Sequence, residues 1–239
     1  MKVMVSKVRL VVLGLIVWYG LGSIPVLAQK WDIGADFLIG LPQNEFRDKI
    51  RGEGYGFSGH FGRFIGDSPI MIGADIGYLN YGTEERWEPI FTIPDAAVLV
   101  RTRNNIFMLH GFARVQPQEG RFRPFFEGLY GFKYLFTETS IKDYYDQTLA
   151  SSTNLDDLAA SWGLGAGLDL RLWEGPGMKM DTGFYDICLS LSADYLWGSE
   201  AQYLKKGSIV PNPDGSVTYL VLRSKTDMLL PRVGIRLRF

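Results

Sequence analysis

The chain has 239 residues, with 25 Lys and Arg against 26 Asp and Glu, 14% aromatic residues, 28 Gly and one Cys. A near-neutral balance without basic runs excludes a nucleic-acid binder, and the lone Cys188 excludes an intramolecular disulfide. Lys2, Lys7 and Arg9 precede an apolar run from Leu10 to Leu21, and Val26 and Ala28 stand at small-residue positions. That is the layout of a secretory signal peptide cut after Ala28. Gly14, Gly20, Gly22 and Pro25 interrupt the run, which argues against a retained membrane helix. The expected organisation is 1–28 signal peptide and 29–239 one exported domain. The exported part keeps 22 Lys and Arg against 26 Asp and Glu. Without a disulfide it must be held by its core, its sheet closure or its membrane.

Period-2 alternation then recurs along the chain. The first strand sets Trp31, Ile33, Ala35, Phe37, Ile39 and Leu41 against Asp32, Gly34, Asp36, Leu38 and Gly40. Pro42 to Arg51 reads as a polar loop. The second strand puts Tyr55, Phe57, Phe61 and Ile65 opposite Gly54, Gly56, Ser58, His60 and Gly62, and Gly66 to Pro69 is a turn by composition. The third alternates Ile70 to Leu79, with Met71, Gly73, Asp75, Gly77 and Leu79 on one face. Gly82 to Arg103 reads as a long loop. Asn105 to Val115 is the fourth strand and Gln116 to Arg121 a turn. The fifth opposes Phe126, Tyr130, Phe132, Tyr134 and Phe136 to Glu127, Leu129, Gly131, Lys133 and Leu135.

Glu138 to Asp157 reads as a second long loop. The sixth strand sets Trp162, Leu164, Ala166, Leu168, Leu170 and Leu172 against Ser161, Gly163, Gly165, Gly167, Asp169 and Arg171. Glu174 to Phe184 is a Gly-rich connection. The seventh strand has Ile187, Leu189, Leu191, Ala193, Tyr195 and Trp197 on one face and Cys188, Ser190, Ser192 and Asp194 on the other. Ser199 to Leu222 is the last long loop, with Pro213-Asp214-Gly215 as a turn between two short extensions. The eighth strand runs from Arg223 to Phe239, and Pro231 inside it costs a ladder hydrogen bond unless a bulge takes it up.

The fold class predicted is all-β: an antiparallel transmembrane up-and-down β-barrel of eight strands, with long connections at one end and short turns at the other. The alternative is a soluble sandwich or lipocalin-like cup with its apolar face inward. Glycines at 163, 165 and 167 argue against it, because a wet face seldom needs them and a narrow lumen does. Assigned by parity, the lumen holds Asp32, Asp36, Asp75, Glu127, Asp169 and Asp194 with Arg114, Lys133, Arg171, Arg232, Arg236 and Arg238. Charges in a low-dielectric space are costly unless paired. The twelve are therefore expected to form an ion-pair network, with the Arg row of the last strand beside Asp32 and Asp36. A proton or ion path is the sharper alternative.

The last strand alternates Val233, Ile235, Leu237 and Phe239 with Gly234, Arg236 and Arg238. An alternating final strand ending in Phe resembles the C-terminal signature of bacterial outer-membrane barrels. The whole exported part resembles the small eight-stranded OmpA, OmpX and OmpW kind. That resemblance implies outer-membrane lipids as surroundings and Val233, Ile235, Leu237 and Phe239 as a signal read by the barrel assembly machinery. It also implies surface roles: envelope stabilisation, adhesion, or passage of small apolar compounds.

Some outer-membrane barrels that modify lipid A use Ser and His, and Ser58, His60 and His110 are the residues to weigh here. A nucleophile–base pair also needs an orienting group and an oxyanion site, and none is marked, so no catalytic residue is assigned. Gly163 to Leu168 fails as a dinucleotide loop because its sixth position is Leu168 and no helix follows. Asp143, Asp146, Asp156 and Asp157 match no calcium-loop spacing. No metal or cofactor is assigned. The leading function is a non-enzymatic structural or surface-interaction barrel, ahead of a narrow hydrophobic portal and a lipid-modifying enzyme.

Overall fold

The computed structural model describes residues 31–50, 52–89, 97–142, 147–175, 186–212 and 216–238. The signal peptide, Phe239, Asp143, Asp146 and the 213–215 turn lie outside these residues. Eight antiparallel strands close a barrel: β1 (Trp31–Pro42), β2 (Gly54–Phe64), β3 (Ile70–Pro89), β4 (Ala97–Val115), β5 (Phe122–Lys142), β6 (Thr148–Glu174), β7 (Asp186–Gly198) and β12 (Met228–Arg238). Each pairs with its neighbours in sequence, and β12 closes onto β1 through Asp32↔Arg238, Asp36↔Gly234 and Leu38↔Arg232. Between β1 and β2 sits a short helix, α1 (Asn44–Lys49), within the expected loop. Between β7 and β12 lie four short strands: β8 (Glu200–Tyr203), β9 (Ile209–Pro211), β10 (Val217–Tyr219) and β11 (Leu222–Lys225). They pair as β8 with β11 and β9 with β10.

Three expectations are corrected. Gly82 to Arg103 is not a loop: β3 and β4 stay paired from Thr83↔Arg103 to Pro89↔Ala97, after one irregularity between Asn80 and Gly82. Nor is Glu138 to Asp157, where β5 and β6 remain paired up to Lys142↔Thr148. The last wall strand begins at Met228, and Arg223 belongs to β11.

The first two corrections have one physical cause. A membrane strand needs about 9–11 residues, and β1, β2, β7 and β12 have 12, 11, 13 and 11. β3 to β6 have 20, 19, 21 and 27. Their surplus forms a four-stranded wall standing above the long-loop rim. Outside lipid, both faces of a sheet carry polar residues, so the alternation fades. Cross-strand polar pairs hold this wall instead. Thr102 and Thr139 hydroxyls are 3.0 Å apart, Thr137 donates to Asn104 at 2.8 Å, and Arg101 pairs with Glu85.

Pro231 falls on the outward parity of β12 and opposes Ala193 of β7. On the β1 side the ladder resumes at Leu41↔Leu229 in the register that it left at Leu38↔Arg232. The proline interrupts that ladder without a bulge.

Candidate functional site

The parity of every wall strand places its charges inside. Arg238 Nε lies 2.7 Å from Asp32, and its Nη2 reaches Gln116 at 2.7 Å and Asp169 at 3.3 Å. Arg236 donates to Asp36 at 2.7 Å. Arg232 bridges Asp75 at 2.7 Å and Asp194 at 2.8 Å. Arg114 donates twice to one oxygen of Glu127, at 2.9 and 2.8 Å, with its guanidinium 4.0 Å above the Phe125 ring. Arg123 and Asp186 add a fully buried pair at 2.5 Å. Neither had been assigned to the lumen. Arg123 shares the parity of Glu127, three residues before the fifth strand drawn from sequence, and Asp186 that of Cys188, one residue before the seventh.

Two of the twelve expected residues stand at the edges of this network. Arg171 sits at the short-turn rim, partly exposed, between Glu174 at 3.0 Å and the buried Asp186 at 3.8 Å. The ladder to β7 shifts register just after it, between Arg171 and Trp173. Lys133 has no carboxylate partner among the described residues. Its ammonium donates to the backbone carbonyl of Thr226 at 2.5 Å. Lys133 is thus tied to the long connection above the lumen, away from the acid rows.

His60 reaches Asp32 at 3.2 Å and stacks on Phe112 with centroids 4.7 Å apart. Ser58 instead donates to Asp36, at 3.5 Å. His110 lies 3.0 Å from Ser161, and its Nδ1 has no partner among the described residues. The serine–histidine contact therefore lacks the orienting acid that a nucleophile–base pair needs. The glycine row of β6 has a packing cause. A Cβ at Gly163 would fall 2.3 Å from the Tyr195 carbonyl, and one at Gly165 2.0 Å from an Asp194 oxygen. Asp156 accepts from Tyr134 and Asp157 from the amide of Gln202.

Above the charges the lumen turns apolar. Leu38, Leu79, Ile106 and Leu135 belong to one hydrogen-bonded row running from β1 through Gly56 to β5. Leu196 and Met228 join them, all fully buried. Over this tier lies a lid made of α1 and residues 199–212 and 216–227. Phe46 of α1 is buried edge-on against Tyr203, with centroids 5.1 Å apart, and Tyr81 lies beside it at 6.4 Å.

The lid is tied down on two sides. Tyr81 donates to the Leu204 carbonyl at 2.9 Å, and the Gly207 amide donates to Glu84 at 2.7 Å, fastening it to the raised wall. Asp227 accepts from the Gly198 amide at 3.0 Å and from Asn44 at 2.8 Å, while its carbonyl takes the Gln43 amide. Asp227 therefore joins the end of β7, the lid and α1. We predict that Asp227→Ala loosens the lid without opening the barrel. Trypsin should cut after the exposed Lys205 and Lys206 several-fold faster, with the wall strands intact. An unchanged cleavage rate would refute the latch.

Side-chain placement is the reverse of a water-soluble cup. Arg236 and Asp32 are 1% and 0% exposed inside, while Phe126 and Leu164 are 71% and 62% exposed on the outer wall. Aromatics ring that wall at both ends: Trp31, Phe122 and Trp173 near the short turns, Tyr78, Tyr134, Tyr195 and Trp197 near the long-loop rim. A closed barrel with an apolar outer band and aromatic girdles satisfies every backbone group in a bilayer. The chain is a transmembrane β-barrel.

No protein-family model matches this barrel, and no curated protein does. Among solved structures it is similar to Neisserial surface protein A at 12% identity, with 88% of this chain and 97% of that one covered and a TM-score of 0.37. It is also similar to Ail, the attachment invasion locus protein of Yersinia pestis, at 13% identity, 88% and 97% coverage and a TM-score of 0.32. A third is a major outer membrane protein from Thermus thermophilus, at 13% identity, 89% and 100% coverage and a TM-score of 0.34.

Proposed function

We propose that this barrel is a non-enzymatic surface-interaction protein whose contacts are carried by the raised β3–β6 wall and the lid. The observation behind this reading is an ordered sheet lifted beyond the membrane over a filled lumen. Trp87 and Leu149 are exposed on the wall, and Val210, Tyr219 and Leu220 on the lid. Apolar side chains held in water on a rigid scaffold mark an interaction surface. The buried Arg and Asp rows serve as the barrel's internal frame in this reading. The apolar tier and the Lys133–Thr226 contact count against a portal for small hydrophobic molecules, because both stand across the lumen's upper end.

Adherence of bacteria displaying the barrel to cultured cells tests the proposal. Combined substitution of Trp87, Leu149 and Leu220 by Ser should reduce adherence several-fold at equal surface level. All three side chains leave the lumen untouched. Equal adherence by parent and variant would remove this surface from the account.

A further inference from the structure

The outer wall carries one depression that its own packing does not explain. A groove of about 940 Å³ crosses it over Gly111, Ala113 and Gly128, between Phe61 on one side and Tyr130 and Trp162 on the other. These small residues adjoin one another by register, through Gly111↔Tyr130 and Ala113↔Gly128. The inward glycines of the barrel are crowded: a Cβ at Gly73 would come 2.2 Å from the Phe61 carbonyl. At Gly128 nothing lies within 4 Å of where a Cβ would stand, and at Gly111 the nearest atoms are 3.8 and 3.9 Å away. Nothing among the described residues requires glycine there. Glycine inside a strand marks a bulge or a close approach. The ladder between β4 and β5 has no bulge, and the open floor admits a close approach from outside.

Arg63 lines the short-turn end of the same groove. Below the level of Asn80 and Asn105 it is the only charged side chain on the outward parity of the wall, among the described residues. Its guanidinium lies 5.2 Å from the Trp31 ring centroid, and none of its N–H groups has an acceptor among the described residues. A charge on a lipid-facing wall needs a partner at interface depth, and a guanidinium forks onto phosphate.

We propose that the groove binds one phospholipid of the periplasmic leaflet, with its phosphate on Arg63 and an acyl chain laid over Ala113, Gly128 and Gly111 towards Trp162. The dimensions suit a chain. From β2 to β6 there are four strand spacings of about 4.8 Å, or ~19 Å of wall for the chain to cross.

Native mass spectrometry of the detergent-purified barrel tests the site, with dioleoyl phosphatidylglycerol and dioleoylglycerol as probes. The parent should retain one phosphatidylglycerol at concentrations where the uncharged diacylglycerol washes off. Arg63→Gln and Gly128→Phe should each lower retention at least tenfold. Ala193→Phe, on the outward face of β7, should leave it at the parent level. If Gly128→Phe lacks the heat-modifiable mobility of a folded barrel, Ala113→Leu on the same floor replaces it. Equal retention of both lipids by the parent, or parent-level retention with the groove filled, overturns the proposal. A dimer that Gly128→Phe abolishes would give the groove to a second copy and overturn it equally.

Discussion

Replacing Arg232 by Met should destabilise the barrel more than any other single truncation in the lumen. Arg232 is buried and holds Asp75 at 2.7 Å and Asp194 at 2.8 Å. Methionine keeps most of the volume and removes the charge, leaving two carboxylates on opposite walls with no cation between them. Breaking a buried ion pair by removing one partner costs about 3–5 kcal/mol, because the other charge stays buried and uncompensated. Adding Asp75→Asn and Asp194→Asn to the same chain should recover most of the loss, since neutral amides do not carry that desolvation cost. Urea unfolding of the barrel refolded in lipid vesicles measures both. A loss below ~1 kcal/mol in the single variant would mean that water reaches Arg232 and that the lumen is wet.

The second large effect is on the outside. Leu168 faces lipid midway between Trp162 and Trp173 on the membrane part of β6, opposite Pro124 of β5 and Leu191 of β7. Leu168→Arg should cost roughly 2–4 kcal/mol, the expense of arginine at a bilayer midplane. Gly175→Arg, just beyond the end of β6, should cost far less because its side chain meets water. The comparison is made by yield of heat-modifiable barrel in vesicles. Equal yields for the two would reverse the inside–outside assignment of β6.

Where lipid bounds the barrel, the sequence was readable. Leu164, Ala166, Leu168 and Leu170 alternate with Gly163, Gly165, Gly167 and Asp169 because the outer solvent is apolar and the inner space is narrow. Those two demands impose period 2 on each strand. The placement of Arg232, Arg236 and Arg238 beside β1 and β7 follows from closure of an even-stranded barrel. Above the membrane the code changes. Thr83 to Glu88 and Thr148 to Asp156 carry polar side chains on both faces, so the apolar–polar alternation is lost, and a paired wall looks like loop.

The apolar tier was hidden for another reason. Leu38, Leu79 and Leu196 sit on inward positions of separate strands, and only the stagger of the rows brings them together. Arg123 and Asp186 were within reach of parity alone, since extending the fifth and seventh strands by a few residues puts both inside. The tie from Lys133 to Thr226 joins residues 93 apart in sequence, and no local pattern points to it.

Planar-bilayer recording of the purified monomer is the most direct test of the closed lumen. The lumen holds paired charges in its lower part, six fully buried apolar side chains above them, and a lid latched by Asp227. An eight-stranded interior is just wide enough for side chains to fill. The account predicts no steady conductance, with Asp227→Ala adding at most brief small openings because the apolar tier remains. A stable, porin-sized conductance from the parent monomer would contradict it.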